Sequence, residues 1–162
     1  MKYEIHHGGC LCGNTRFTTR GSTDLTGVCH CRYCQLRSGS AFGTLAYFDE
    51  ENVKLAKGDI KDYRFTSESG YNWHNQFCGE CGVTLFMRLE VFPKKIGIAA
   101  GTFDPPSFWF SLKNEVFTRS RAHFVGPISA EHHEETFFSH NPVDPDNPRL
   151  NGSQFYSAEE EP

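Results

Sequence analysis

The chain has 162 residues, enough for one domain with a modest core, and its 38% hydrophobic share is below the usual globular fraction. Aromatics reach 14%, with 15 Phe, so the core is expected to rest on phenylalanine rather than on leucine and isoleucine. A net charge of −4 and the absence of a membrane-length apolar stretch argue against a nucleic-acid footprint and against a membrane span.

The start, Met1-Lys2-Tyr3-Glu4-Ile5-His6-His7, carries no apolar leader, which points to a soluble, cytoplasmic protein. Strand-like runs follow at 14–19, 43–48, 53–56, 62–65, 72–77, 84–90 and 95–100. Several alternate with period 2, as in Tyr63-Arg64-Phe65 and Leu85-Phe86-Met87-Arg88-Leu89. Turns are expected at Gly58-Asp59 and at Asp104-Pro105-Pro106. Two short helices are predicted, one over 31–37 ended by Gly39, the other over 130–138 capped by Ser129. The fold class that follows is mainly β, antiparallel, with short helices. Residues 1–138 read as the β domain and 139–162 as an acidic, Pro-rich tail. That tail holds five acids, Asp144, Asp146, Glu159, Glu160 and Glu161, against Arg149 alone. Acids and bases therefore balance over residues 1–138, which leaves no overall basic face for nucleic acid.

Seven cysteines are spaced as Cys10-x-Cys12, Cys29-x-Cys31-x2-Cys34 and Cys78-x2-Cys81. A reducing compartment disfavours disulfides, the count is odd, and pairs this tight are better suited to metal. Cys78-Gly79-Glu80-Cys81-Gly82 has the form of a zinc knuckle, whose turn aims backbone N–H groups at two sulfurs. Cys10-Leu11-Cys12-Gly13 supplies a second pair. Cys29, Cys31 and Cys34 differ in kind: three thiolates in six residues can cap one face of a zinc ion and leave its fourth position open. Spacing alone equally allows His30, His6, His7 or His74 to close that site, or all seven thiols to share one multi-zinc cluster. His132-His133-Glu134-Glu135 looks like a metal box but reads better as the polar face of the second helix.

The order of these motifs resembles one family. Gly9-Cys10-Leu11-Cys12-Gly13 is followed by Cys29-His30-Cys31-Arg32-Tyr33-Cys34-Gln35 and Ser38-Gly39-Ser40-Ala41-Phe42. Then come Phe77-Cys78-Gly79-Glu80-Cys81-Gly82 and Gly101-Thr102-Phe103-Asp104-Pro105. The set is similar to the glutathione-dependent formaldehyde-activating enzymes and centromere protein V, over about residues 5–125. The resemblance implies an Mss4-like fold and two zinc ions per chain. A structural ion would sit on Cys10, Cys12, Cys78 and Cys81, and a catalytic one on Cys29, Cys31 and Cys34.

The activity it implies is that of a carbon–sulfur lyase like S-(hydroxymethyl)glutathione synthase, acting on adducts of a small thiol and an aldehyde. Zinc with an open position can hold a thiol as thiolate or polarise an aldehyde oxygen. Three cysteinates leave that site with a net negative charge, which favours the thiolate-holding role. Glutathione carries two carboxylates, so cationic partners are expected; Arg32 and Arg37 are nearest in sequence, then Arg119 and Arg121. His30 or Ser40 could move a proton. A rival reading is a non-catalytic binding module with both zinc sites structural. Nucleic-acid binding is suggested only by the centromere relative, and the charge balance opposes it.

Overall fold

In a computed structural model, the structure describes residues 4–23, 25–67 and 70–139. In chain order the strands begin with β1 (Ile5–Gly9), β2 (Arg16–Arg20) and β3 (Leu25–Cys29), followed by helix α1 (Arg32–Ser38). Next come β4 (Gly43–Asp49), β5 (Val53–Lys57), β6 (Ile60–Thr66), β7 (Asn72–Cys78), β8 (Thr84–Leu89) and β9 (Lys95–Ala99). The short β10 (Asn114–Val116) and β11 (His132–His133) complete the order. Among the described residues the fold is thus mainly β, with one short α-helix and three single 3-10 turns.

One sheet has three strands in the order β1-β2-β5; the other has eight, in the order β11-β10-β3-β4-β9-β8-β7-β6. Central β4 is buried almost throughout, as a strand covered on both faces must be. Period-2 alternation then sends its side chains to two separate cores. Ala46 and Phe48 join Phe86, Phe17 and Phe103 in the first; Leu45 and Tyr47 join Met87, Leu89 and Val116 in the second. Phenylalanine does dominate the first core: Phe17 meets Phe86 and Phe103 edge to face, with ring centroids 5.2 and 5.3 Å apart. Each core also contains its own cysteines, Cys10 and Cys78 in one, Cys29, Cys31 and Cys34 in the other. The two thiol groups therefore occupy opposite faces of the large sheet.

The predicted helix over 130–138 is absent. That segment instead places β11 parallel to β10, with the Glu134 amide donating to the Glu115 carbonyl at 2.9 Å. Pairing with a distant strand outweighs the local helix preference of this segment, in which Ala130 and three Glu favour a helix but two His, Thr136 and two Phe do not. Parallel pairing also joins β10 to β3, with Val116 opposite Cys29; the other strand pairs are antiparallel, as expected. The first predicted helix does form. Cys31 caps its start, and Gly39, at φ 64°, closes it by donating to the Gln35 carbonyl. The tail from 140 onward lies outside the described residues.

Candidate metal centres and the adjoining cavity

Two similar turns build the four-thiol group. Gly13 and Gly82 both take φ near 75°, and their amides donate back to the carbonyls of Cys10 and Cys78. The four ligand atoms of Cys10, Cys12, Cys78 and Cys81 lie within 4.8 Å of one another. Two sulfur separations are 3.5 Å (Cys10 to Cys12) and 3.8 Å (Cys12 to Cys78). Four sulfurs about 2.3 Å from a central zinc would be about 3.8 Å apart, so the spacing fits the ion. The Thr15 amide donates to the Cys10 sulfur at 3.2 Å and the Glu80 amide to the Cys78 sulfur at 3.4 Å. A bond from the Thr15 side chain, with the Cys81 and Glu80 amides, brings the Cys78 thiol down to about 6. Cys12, drawn down by the Asn14 amide but pushed harder by its sulfur neighbours, rises to about 12. Within the group Cys78 is thus readily ionised, whereas Cys12 is a thiol that a bound cation would have to deprotonate.

The second group is assembled across one junction. Cys29 ends β3, Cys31 caps α1 and receives the Cys34 amide at 3.4 Å, and Cys34 lies in the first turn of the helix. Their sulfurs also lie within 4.8 Å of one another, and all three residues are buried. Hydrogen bonds from Cys29 and Cys31, with the nearby Arg37 guanidinium, hold the Cys34 thiol well below its ordinary value. The same sharing pushes Cys29 up. Among the described residues, no His, Asp or Glu joins the three thiols, and the seven cysteines form two separate groups. His30 is fully buried but directs Nε2 to Glu115 at 2.9 Å and presents its ring edge-on to Phe42. His6 stacks on Trp109 with ring centroids 3.6 Å apart. His7 lies on β1, and His74 on β7, opposite Arg88. A three-sulfur donor set suits zinc with a fourth position left for a ligand.

Cys29, Cys31 and Cys34 line a cavity of about 110 Å³ whose walls are mostly aromatic and aliphatic. Arg32 and Arg119 line it too. Arg37 lies behind the thiols, packed against Gly43: a Cβ added there would displace its guanidinium and press on Cys34. Arg121 is engaged elsewhere, its Nε donating to Glu115 at 3.1 Å. Ser40 is exposed, bound through its amide to the Ser38 hydroxyl. Of the four arginines singled out, two therefore face the cavity.

Two residues that matter were not visible in the sequence. Tyr47 lines the cavity, and burial first, then the charges of Cys34 and Cys29, push its hydroxyl well above its ordinary value. Glu115 is fully buried and accepts hydrogen bonds from His30, Arg121, His133 (2.6 Å) and the Ile128 amide (3.4 Å). His133, read as part of a polar helix face, thus serves as a partner of this carboxylate. No motif marks either residue, because both act through contacts far apart in the chain.

Fold and site together define a mainly β, cysteine-rich protein with two thiol groups able to hold metal, one of them facing a cavity. Residues 5–120 match the glutathione-dependent formaldehyde-activating enzymes, and the chain belongs to that family. All seven cysteines fall within the matched segment. Membership supports a function connected with glutathione and formaldehyde. Among solved structures the chain is similar to a Rhodobacter sphaeroides protein determined in a structural-genomics programme. The two are 17% identical, with a TM-score of 0.48, over 64% of this chain and 95% of that one. No helix among the described residues is long and apolar enough to cross a membrane.

Proposed function

We propose that the chain is a zinc-dependent carbon–sulfur lyase acting on adducts of a small, glutathione-like thiol and a formaldehyde-like aldehyde. In this reading Cys10, Cys12, Cys78 and Cys81 hold a structural zinc, and Cys29, Cys31 and Cys34 hold a reactive one. The observation that carries it is the position of the three-thiol group on the wall of a cavity, without a fourth described protein ligand. Zinc bound there would keep an incoming thiol deprotonated at neutral pH.

The residues of the chain do the rest. Arg32 and Arg119 present positive charge to the thiol's carboxylates. Tyr47, kept protonated by burial and by the nearby thiolates, can donate its O–H to the aldehyde oxygen. Apolar walls limit water around the reacting atoms. Residues 1–138 would form the zinc-braced domain that carries this chemistry.

The test compares the zinc-loaded protein with Cys31→Ser. Exchange between glutathione and its hydroxymethyl adduct, followed by NMR, should be accelerated by the wild type and return to the uncatalysed rate in the variant. The variant should remain folded and retain one zinc. Loss of folding in Cys31→Ser would instead make both sites structural.

A further inference from the structure

The cavity over the three thiols is larger and more apolar than formaldehyde needs. Formaldehyde has two heavy atoms, whereas the cavity measures about 110 Å³. An apolar cavity of roughly 150 Å³ in an unrelated protein takes up benzene, so this space is on the scale of a ring or a branched alkyl group. Its walls include Trp73, Met87, Leu89, Phe92, Val116 and Phe137. With formaldehyde alone, much of that surface would face water. Phe137 and Phe138 also line the cavity, yet lie beyond residues 5–120, the segment that matches the family. The only charged side chains on the wall, among the described residues, are the cations Arg32 and Arg119.

Resting on the function proposed above, we infer that the preferred substrate is the adduct of an anionic peptide thiol with an aldehyde bearing an apolar, ring-sized or branched substituent. The tripeptide is too large for 110 Å³, so only the sulfur and the aldehyde-derived group enter, while its carboxylates meet Arg32 and Arg119. The chemistry balances without an added oxidant or reductant. A sulfur lone pair forms the C–S bond to the carbonyl carbon, and the C=O π pair moves to oxygen. Oxygen takes up the proton that the thiol gives up. In the reverse direction the C–S bond breaks, and the same atoms return to thiol and aldehyde.

Two unreactive thioethers, S-methylglutathione and S-benzylglutathione, separate the size of the pocket from turnover. Calorimetric titration of the zinc-loaded protein should show S-benzylglutathione binding at least about tenfold more tightly. Trp73→Ala and the milder Phe137→Ala should each shrink that ratio several-fold, with zinc content and circular dichroism confirming the fold. Equal affinities, a reversed order, or no binding of either thioether would overturn the inference.

Rates with glutathione plus formaldehyde or phenylacetaldehyde distinguish the two readings. Acceleration with formaldehyde together with a thioether ratio near one would leave the lyase reading intact and remove the apolar substrate. A high ratio with no acceleration for either aldehyde would keep the ligand class and remove the lyase.

Discussion

The four-thiol group lies nearer the surface than the three-thiol group. Cys12 is exposed and Cys81 half-buried, whereas Cys29, Cys31 and Cys34 are all buried. The more complete donor set is therefore the less protected one. Four thiolates close a tetrahedral ion by themselves, so solvent beside the group costs little. Three thiolates leave one position to be filled, and what fills it depends on the surroundings. Burial on the far face of the sheet, under an apolar cavity, lets the protein choose that ligand. In the proposed reading, the structural and the reactive site thus differ in depth, in closure and in what adjoins them.

The strongest way to break this contrast is to remove one ligand from each group. In the proposed reading, Cys78→Ser opens a closed site that would tie the β1–β2 turn to the end of β7, and such sites supply folding energy outright. We expect loss of the folded circular dichroism signal and of both zinc ions in that variant. Cys31→Ser removes a ligand from a group already short of one, so the expected loss is one zinc and the catalysed exchange, with the sheet signal retained. A folded Cys78→Ser protein with one zinc would erase the distinction between the two groups.

The cysteine spacing made both groups legible because metal ligands on one turn are close in sequence as well as in space. The Gly39 stop of α1 was legible for the same reason, since helix capping is local. The partners of β10 were not. Asn114-Glu115-Val116 is too short to show periodicity, and its place between β3 and β11 is set by pairing at separations of 18 residues or more. The helix expected over 130–138 failed on that same long-range pairing. His30 shows the limit most directly: its position between two thiols suggested a ligand or a proton carrier, whereas its Nε2 is committed to Glu115.

Glu115 offers a smaller test that concerns the three-thiol side alone. His30 stands between Cys29 and Cys31, so the buried carboxylate braces the segment that presents those thiols. Glu115→Ala leaves His30 and Arg121 without their acceptor and should cost about 3 kcal/mol in urea unfolding. Burial raises the Glu115 carboxyl, but bonds from His30 and His133, the charge of Arg121 and the Ile128 amide together hold it below its ordinary 4.5. A lowered carboxyl contributes stability above its unfolded value and loses it as pH falls through the folded one. The stability gap between wild type and Glu115→Gln should therefore be full at neutral pH and narrow below about pH 4.5. A gap unchanged down to pH 3 would mean that the carboxylate charge does not matter.

The smallest expected effect is on the other face. Arg16 lies near Cys10, as Arg37 lies near Cys34, but its charge is directed to Asp104, whose carboxyl it holds below the ordinary range. Both side chains of that pair are more than a third exposed, so water screens the attraction and the pair is worth at most about 1 kcal/mol. Arg16→Ala should shift the urea midpoint only slightly and leave both zinc ions in place. Arg37→Ala, beside a buried thiol, should weaken zinc retention at the three-thiol site in a competition with a chelator. Equal zinc losses in the two variants would mean that an arginine paired with a carboxylate and one beside a buried thiol influence their neighbouring sulfurs alike, and that the depth of the second group has no electrostatic consequence.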